Sequence, residues 1–152
     1  MIAITIGGAL YPPLEKSIAK YVLDEASASE MSATIIYVIA SASMAIPAMC
    51  LSSNLPAESY FGSIILSFVL VEACVGLFMP VSGTLRSKYV PDALHGAILN
   101  IFRLPLNAVV VAGTYASDIM APAHVFMLVS GWFMLAALLQ VTLVKTEKAK
   151  KA

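Results

Sequence analysis

The sequence predicts an all-α transmembrane protein, and three observations carry that prediction. The 152-residue chain is 60% hydrophobic and only 12% charged, against about 25% charged residues in an ordinary soluble domain. Its apolar residues fall into four runs, near 31–52, 60–85, 93–117 and 123–144, each long enough for the ~20 residues that a spanning helix requires. If these runs alternate across a bilayer, Lys16, Lys20, Arg86, Lys88, Lys145, Lys148, Lys150 and Lys151 all lie on one side, and only Arg103 sits within a run. Cytoplasmic loops carry the excess of lysine and arginine, so that side, with the carboxyl terminus, is expected to be cytoplasmic.

Taken in order, the first segment is apolar for about ten residues before Pro12 and Pro13. That is too short to cross alone, and it lacks the basic start and small-residue cleavage site of a secretory signal. Residues 1–13 therefore read as a partial helix, the cytoplasmic half of one that begins upstream, and 14–30 as a polar cytoplasmic linker, with a surface helix over part of it as the alternative. The first full span, 31–52, contains Pro47 and a small-residue patch from Ala40 to Ala45. Small side chains let helix backbones approach where no hydrophobic effect drives association, so this face is expected to pack on a neighbour. The linker from Ser53 to Ser59 has no basic residue, nor has the turn from Asp118 to Pro122. Between the second and third spans lies a basic turn with Arg86 and Lys88, and the tail is 145–152. The whole reads as one transmembrane domain in the lipid bilayer.

Several chemistries find no support. Zero formal net charge and few basic residues do not build the positive face that nucleic acid demands. Cys50 and Cys74 have no chelating spacing and read as small packing residues, while His95 and His124 lie at helix ends without a ligand or triad partner. No nucleophile triad, phosphate loop or dinucleotide fingerprint is present, so neither an enzyme nor a cofactor or metal is expected.

The informative stretch is the second and third spans. Each carries one charge near its middle, Glu72 and Arg103, and ionisable residues at such depth mark functional sites by default. At 100° per residue, Gly96, Asn100, Arg103, Asn107 and Thr114 share one face within roughly 60°, and Ile98, Ile101 and Val109 cover the opposite side. On the preceding span Glu72, Gly76 and Gly83 align within about 40°. One reading makes Glu72 and Arg103 a structural ion pair inside the bundle, with Asn100 and Asn107 in interhelical hydrogen bonds. The other makes Arg103 the anion contact of a water-filled pathway, because guanidinium offers a planar fork of donors and stays charged. In that reading Glu72 balances the empty site or exchanges a proton. Pro80 and Pro105, like Pro47, lie inside spans, where proline deletes a backbone hydrogen bond and bends the helix. With Gly76 and Gly83 they are candidate hinge or packing positions.

With these residues placed, the chain resembles the carboxyl-terminal part of a major facilitator superfamily transporter, and most of all the molybdate-anion transporter family. The resemblance rests on Glu72, Gly76, Phe78 and Pro80 in one helix, on the turn from Arg86 and Lys88 to Val90 and Pro91, and on Asn100, Phe102, Arg103, Pro105 and Asn107. It implies the second half of helix eight and helices nine to twelve of a twelve-helix secondary transporter that moves molybdate by alternating access. The missing amino-terminal half is then its partner, since sites of this kind lie between two halves. The superfamily's glycine- and arginine-rich loop is absent between Gly7 and Lys16. A transporter of an organic anion, sugar or drug-like solute, or a truncated scaffold that does not transport, fits the same spacing.

Overall fold

The computed structural model describes residues 1–21, 28–53 and 56–151. These form five helices: α1 Ile2–Tyr21, α2 Ala28–Ser52, α3 Ala57–Tyr89, α4 His95–Ile119 and α5 Pro122–Lys151. A single 3-10 turn, Asp92–Leu94, joins α3 to α4. Among the described residues, α2 to α5 are long and apolar enough to cross a membrane. Helices suit that solvent because they satisfy every backbone donor and acceptor internally.

Two boundaries differ from the sequence reading. The partial helix does not stop at Pro13, because α1 runs through both prolines to Tyr21. Two successive prolines remove two backbone donors, but Tyr11 and Ile18 are buried on either side of the pair, and that packing outweighs the local loss. Helix therefore covers 14–21 of the expected linker, in keeping with its partly helical alternative, and α2 already begins at Ala28; Asp24 and Glu25 lie outside the described residues. The expected tail is likewise helical, as α5 continues to Lys151. Pro47, Pro80 and Pro105 each lie inside an unbroken helix.

The core sits where α1, α2 and α3 meet. Tyr11, Ala33, Ile36, Ala40, Cys74 and Val81 form it, flanked by Tyr37, Leu77, Phe78, Leu85 and Phe133. The rings of Tyr37 and Phe78 lie 5.3 Å apart and tilted. Cys74 is buried and unbonded, in keeping with a packing role. Helix α2 packs along both α3 and α5, whereas α4 touches its neighbours only lightly. The face of α2 that enters these contacts is small: Ser32, Ala33, Ala40, Ser41, Ser43 and Ala48 are all buried.

The closest approach is between α1 and α3. A Cβ added to Gly76 would stand 2.0 Å from the carbonyl oxygen of Ile4, and one added to Gly7 would stand 2.2 Å from that of Ala73. Each glycine thus lets the opposite backbone lie directly on its helix. Gly83 has nothing within 4 Å of its added Cβ, so it is not a packing glycine here. Gly76→Ala should accordingly lower the thermal stability of the detergent-solubilised protein by about 1–3 kcal/mol, the usual cost of overpacking. Gly83→Ala should leave it unchanged or raise it by up to ~1 kcal/mol through helix propensity.

Candidate functional site

Helix α4 is set apart from the bundle. None of its residues is buried. Its weak contact with α5 leaves a cavity of ≈ 570 Å³, walled by Val109, Ala112, Gly113 and Ala116 on one side and by Leu128, Trp132 and Ala136 on the other. At 100° per residue that side of α4 lies roughly opposite the stripe of Asn100, Arg103 and Asn107. The polar stripe therefore points away from α5 and off the described bundle.

On that stripe Arg103 Nη1 donates to Asn100 Oδ1 at 3.4 Å. This is the geometry expected of residues one turn apart. The amide oxygen turns toward the guanidinium and orients it without neutralising it. Asn107 is exposed one turn further along. Two of the expected donors and the charge between them are thus presented together on one open helical face.

Glu72 is elsewhere, and the expected ion pair with Arg103 is not formed. The Glu72 side chain is half exposed and lies beside the first residues of α1. It lines a groove between α1 and α3 with Ile2, Ala3, Ile6 and Val69. The physical reason lies in the packing of α3, whose Gly76 flank is taken up by α1. The carboxylate four residues earlier shares that flank, so it faces α1 and not α4. Among the described helices none covers the stripe either, since α4 buries no residue.

The basic turn divides in the same way. Arg86 Nε donates to the carbonyl oxygen of Ser82 at 3.1 Å, in the last turn of α3, where a cation meets the negative end of the helix dipole. Lys88 reaches across to Glu30, whose Oε1 also accepts from the Tyr89 hydroxyl at 2.7 Å. Glu30 is fully buried. A carboxylate at such a place is tolerable only when paired, and Lys88 and Tyr89 supply that pairing from α3. Nearby, Glu15 Oε1 accepts from Tyr11 at 2.6 Å and from Ser29 at 3.1 Å, which ties α1 to the start of α2.

Sequence reasoning assigned Glu30 to a polar linker and missed this cluster. The signal available was its place one residue before an apolar run, on the side that also carries Lys88. It also missed a reciprocal pair between α2 and α5. Ser41 Oγ donates to the Ser130 carbonyl oxygen at 2.9 Å, and Ser130 Oγ donates to that of Ser41 at 2.8 Å. Ser41 belongs to the small-residue patch already expected to face a neighbour, but nothing in the spacing identified Ser130 as its partner.

Comparison with known proteins finds relatives over part of the chain. It is 36% identical over 55 residues to "Molybdate-anion transporter" of Xenopus tropicalis and 34% identical over 55 residues to the Xenopus laevis protein of that name. Each match covers 36% of this chain and 12% of the relative. No family model matches the chain, and no solved structure matches it. With four helices fit to cross a membrane and relatives named as transporters, the chain is an all-α, multi-pass membrane protein that is similar, over about a third of its length, to molybdate-anion transporters.

Proposed function

We propose that this chain forms the carboxyl-terminal helices of a secondary transporter of the major facilitator type, and that the transporter moves an oxyanion, molybdate, by alternating access. The observation that carries the reading is the exposed, unneutralised Arg103 at mid-span, held by Asn100 on a polar face that no described helix covers. A charge at that depth is costly, about 2.5–3.5 kcal/mol on insertion scales, and a facing half of the transporter would enclose it in a water-filled pathway. The partial likeness to proteins named as molybdate-anion transporters supports the same cargo.

Arg103 would grip the anion, because a tetrahedral dianion presents several oxygens that charge-assisted, forked hydrogen bonds fit better than a point charge does. Asn100 and Asn107 would add neutral donors a turn to either side. Glu72 would act separately, as a carboxylate of the α1–α3 groove that exchanges protons during the cycle. No covalent step is involved, and the protein is not an enzyme in this reading. Loose packing of α4 on α5 and the proline within it suit an element that changes position. The membrane would be the plasma membrane, with the carboxyl terminus cytoplasmic.

Three measurements test this in the whole transporter. Arg103→Lys keeps the charge and loses the fork, so molybdate uptake should fall by roughly ten- to a hundred-fold with normal membrane insertion, the equivalent of about 1.5–3 kcal/mol for a hydrogen bond to a charged group. Asn100→Ala should cost less, since water can replace a neutral donor. Uptake by Arg103→Lys at the parental rate would make Arg103 structural.

Because Glu72 does not touch Arg103, Glu72→Gln should abolish the pH dependence of uptake and combine additively with Arg103→Lys. Strong non-additivity would return the two residues to one site.

In a background without Cys50 and Cys74, Ser53→Cys should react with an impermeant thiol reagent applied outside cells, and Lys148→Cys should not. The opposite labelling pattern would invert the topology.

A further inference from the structure

Among the described residues, two buried polar side-chain atoms have no hydrogen-bond partner, Glu30 Oε2 and Gln140 Nε2. One is an acceptor and the other a donor, and buried groups of either kind are rarely left unpaired. Their places in the fold bring them together. The reciprocal bonds of Ser41 and Ser130 fix the register of α2 against the antiparallel α5. From that point Glu30 lies eleven residues back along α2 and Gln140 ten residues forward along α5, about 16 Å and 15 Å at the rise of an α-helix. Both displacements run toward the same end of the bundle. Helix α5 packs on α2 more extensively than any other two described helices pack, and Ala137 and Val144, which flank Gln140 on one stripe of the helix, are buried with it.

We propose that Gln140 is the second partner of Glu30, with its amide donating to one enclosed water that in turn donates to Oε2. The carboxylate then joins three helices at once, with Lys88 and Tyr89 of α3 on one oxygen and Gln140 of α5 on the other. It forms a buried polar lock at the basic end of the bundle, and α4 supplies no part of it. Helices α2, α3 and α5 are held there as one body, and α4, with Arg103, is the element left free to shift against them. This inference stands on the register and the two buried atoms and is independent of the cargo.

The test is thermal unfolding of the full protein in detergent. If Gln140 were unpartnered, Gln140→Leu would remove a desolvated donor and raise Tm or leave it unchanged; the lock requires a fall. Gln140→Glu should lower Tm further by setting two carboxylates side by side, and Glu30→Gln added to it should recover most of that loss. Failure of this recovery, or a neutral Gln140→Leu, overturns the proposal. Should Gln140→Glu not fold, paired cysteines decide: Glu30→Cys with Gln140→Cys should cross-link in membranes with a short bifunctional thiol reagent, as Ser41→Cys with Ser130→Cys must. Cross-linking of the serine pair alone would overturn it equally.

Discussion

The bundle depends on backbone-to-backbone proximity between helices. Lipid tails are as apolar as the side chains they meet, so sequestering leucine from lipid gains nothing, and association falls to close packing and interhelical hydrogen bonds. Both appear where residues are smallest. Gly7 and Gly76 seat α1 on α3 at distances that no Cβ could survive, and Ser41 and Ser130 seat α2 on α5 through bonds to each other's carbonyl oxygens. Membrane hydrogen bonds of this kind average about 0.6 kcal/mol, so their main contribution is register. A slide by one turn between α2 and α5 would break both serine bonds, and one between α1 and α3 would drive the α1 backbone into side chains of α3.

The same rule explains why α4 stands aside. It has Gly96 and Gly113, but neither has anything within 4 Å of an added Cβ, and its contacts with α5 leave an open cavity. Large apolar residues such as Phe102, Leu104 and Leu106 are exposed on it. A helix whose outer surface is apolar and whose remaining face carries an arginine and two asparagines has two different solvents to satisfy. The described bundle supplies neither a polar wall nor a close-packed one for that face.

The architecture was legible in the sequence because it rests on run length and charge placement, which need no tertiary information. Four apolar stretches marked out the helices α2 to α5, although α5 runs on to Lys151, past the stretch that ends at 144. The stripe of Asn100, Arg103 and Asn107 was legible for the same reason, since helical periodicity alone puts them together. What failed depended on which helices touch. Pairing Glu72 with Arg103 assumed that consecutive antiparallel spans face each other with their charges, whereas α3 turns its Gly76 flank to α1. The proline pair in α1 looked like a stop because propensity is local, and buried Tyr11 and Ile18 are not. Glu30 looked like a solvated linker residue because the donors to its Oε1 come from residues 58 and 59 positions away.

The length of α3 has a mechanical consequence. Its 33 residues measure about 50 Å, against a hydrocarbon layer of about 30 Å. The excess is accommodated by tilt or by projection into the headgroups, and each ångström of hydrophobic mismatch costs a fraction of a kcal/mol. Because Lys88 and Tyr89 at its far end are fastened to Glu30 at the start of α2, α3 cannot change its tilt without dragging α2 with it. Bilayer thickness thereby becomes a load that this buried carboxylate helps to carry, and membranes of different thickness would bias the bundle through that point.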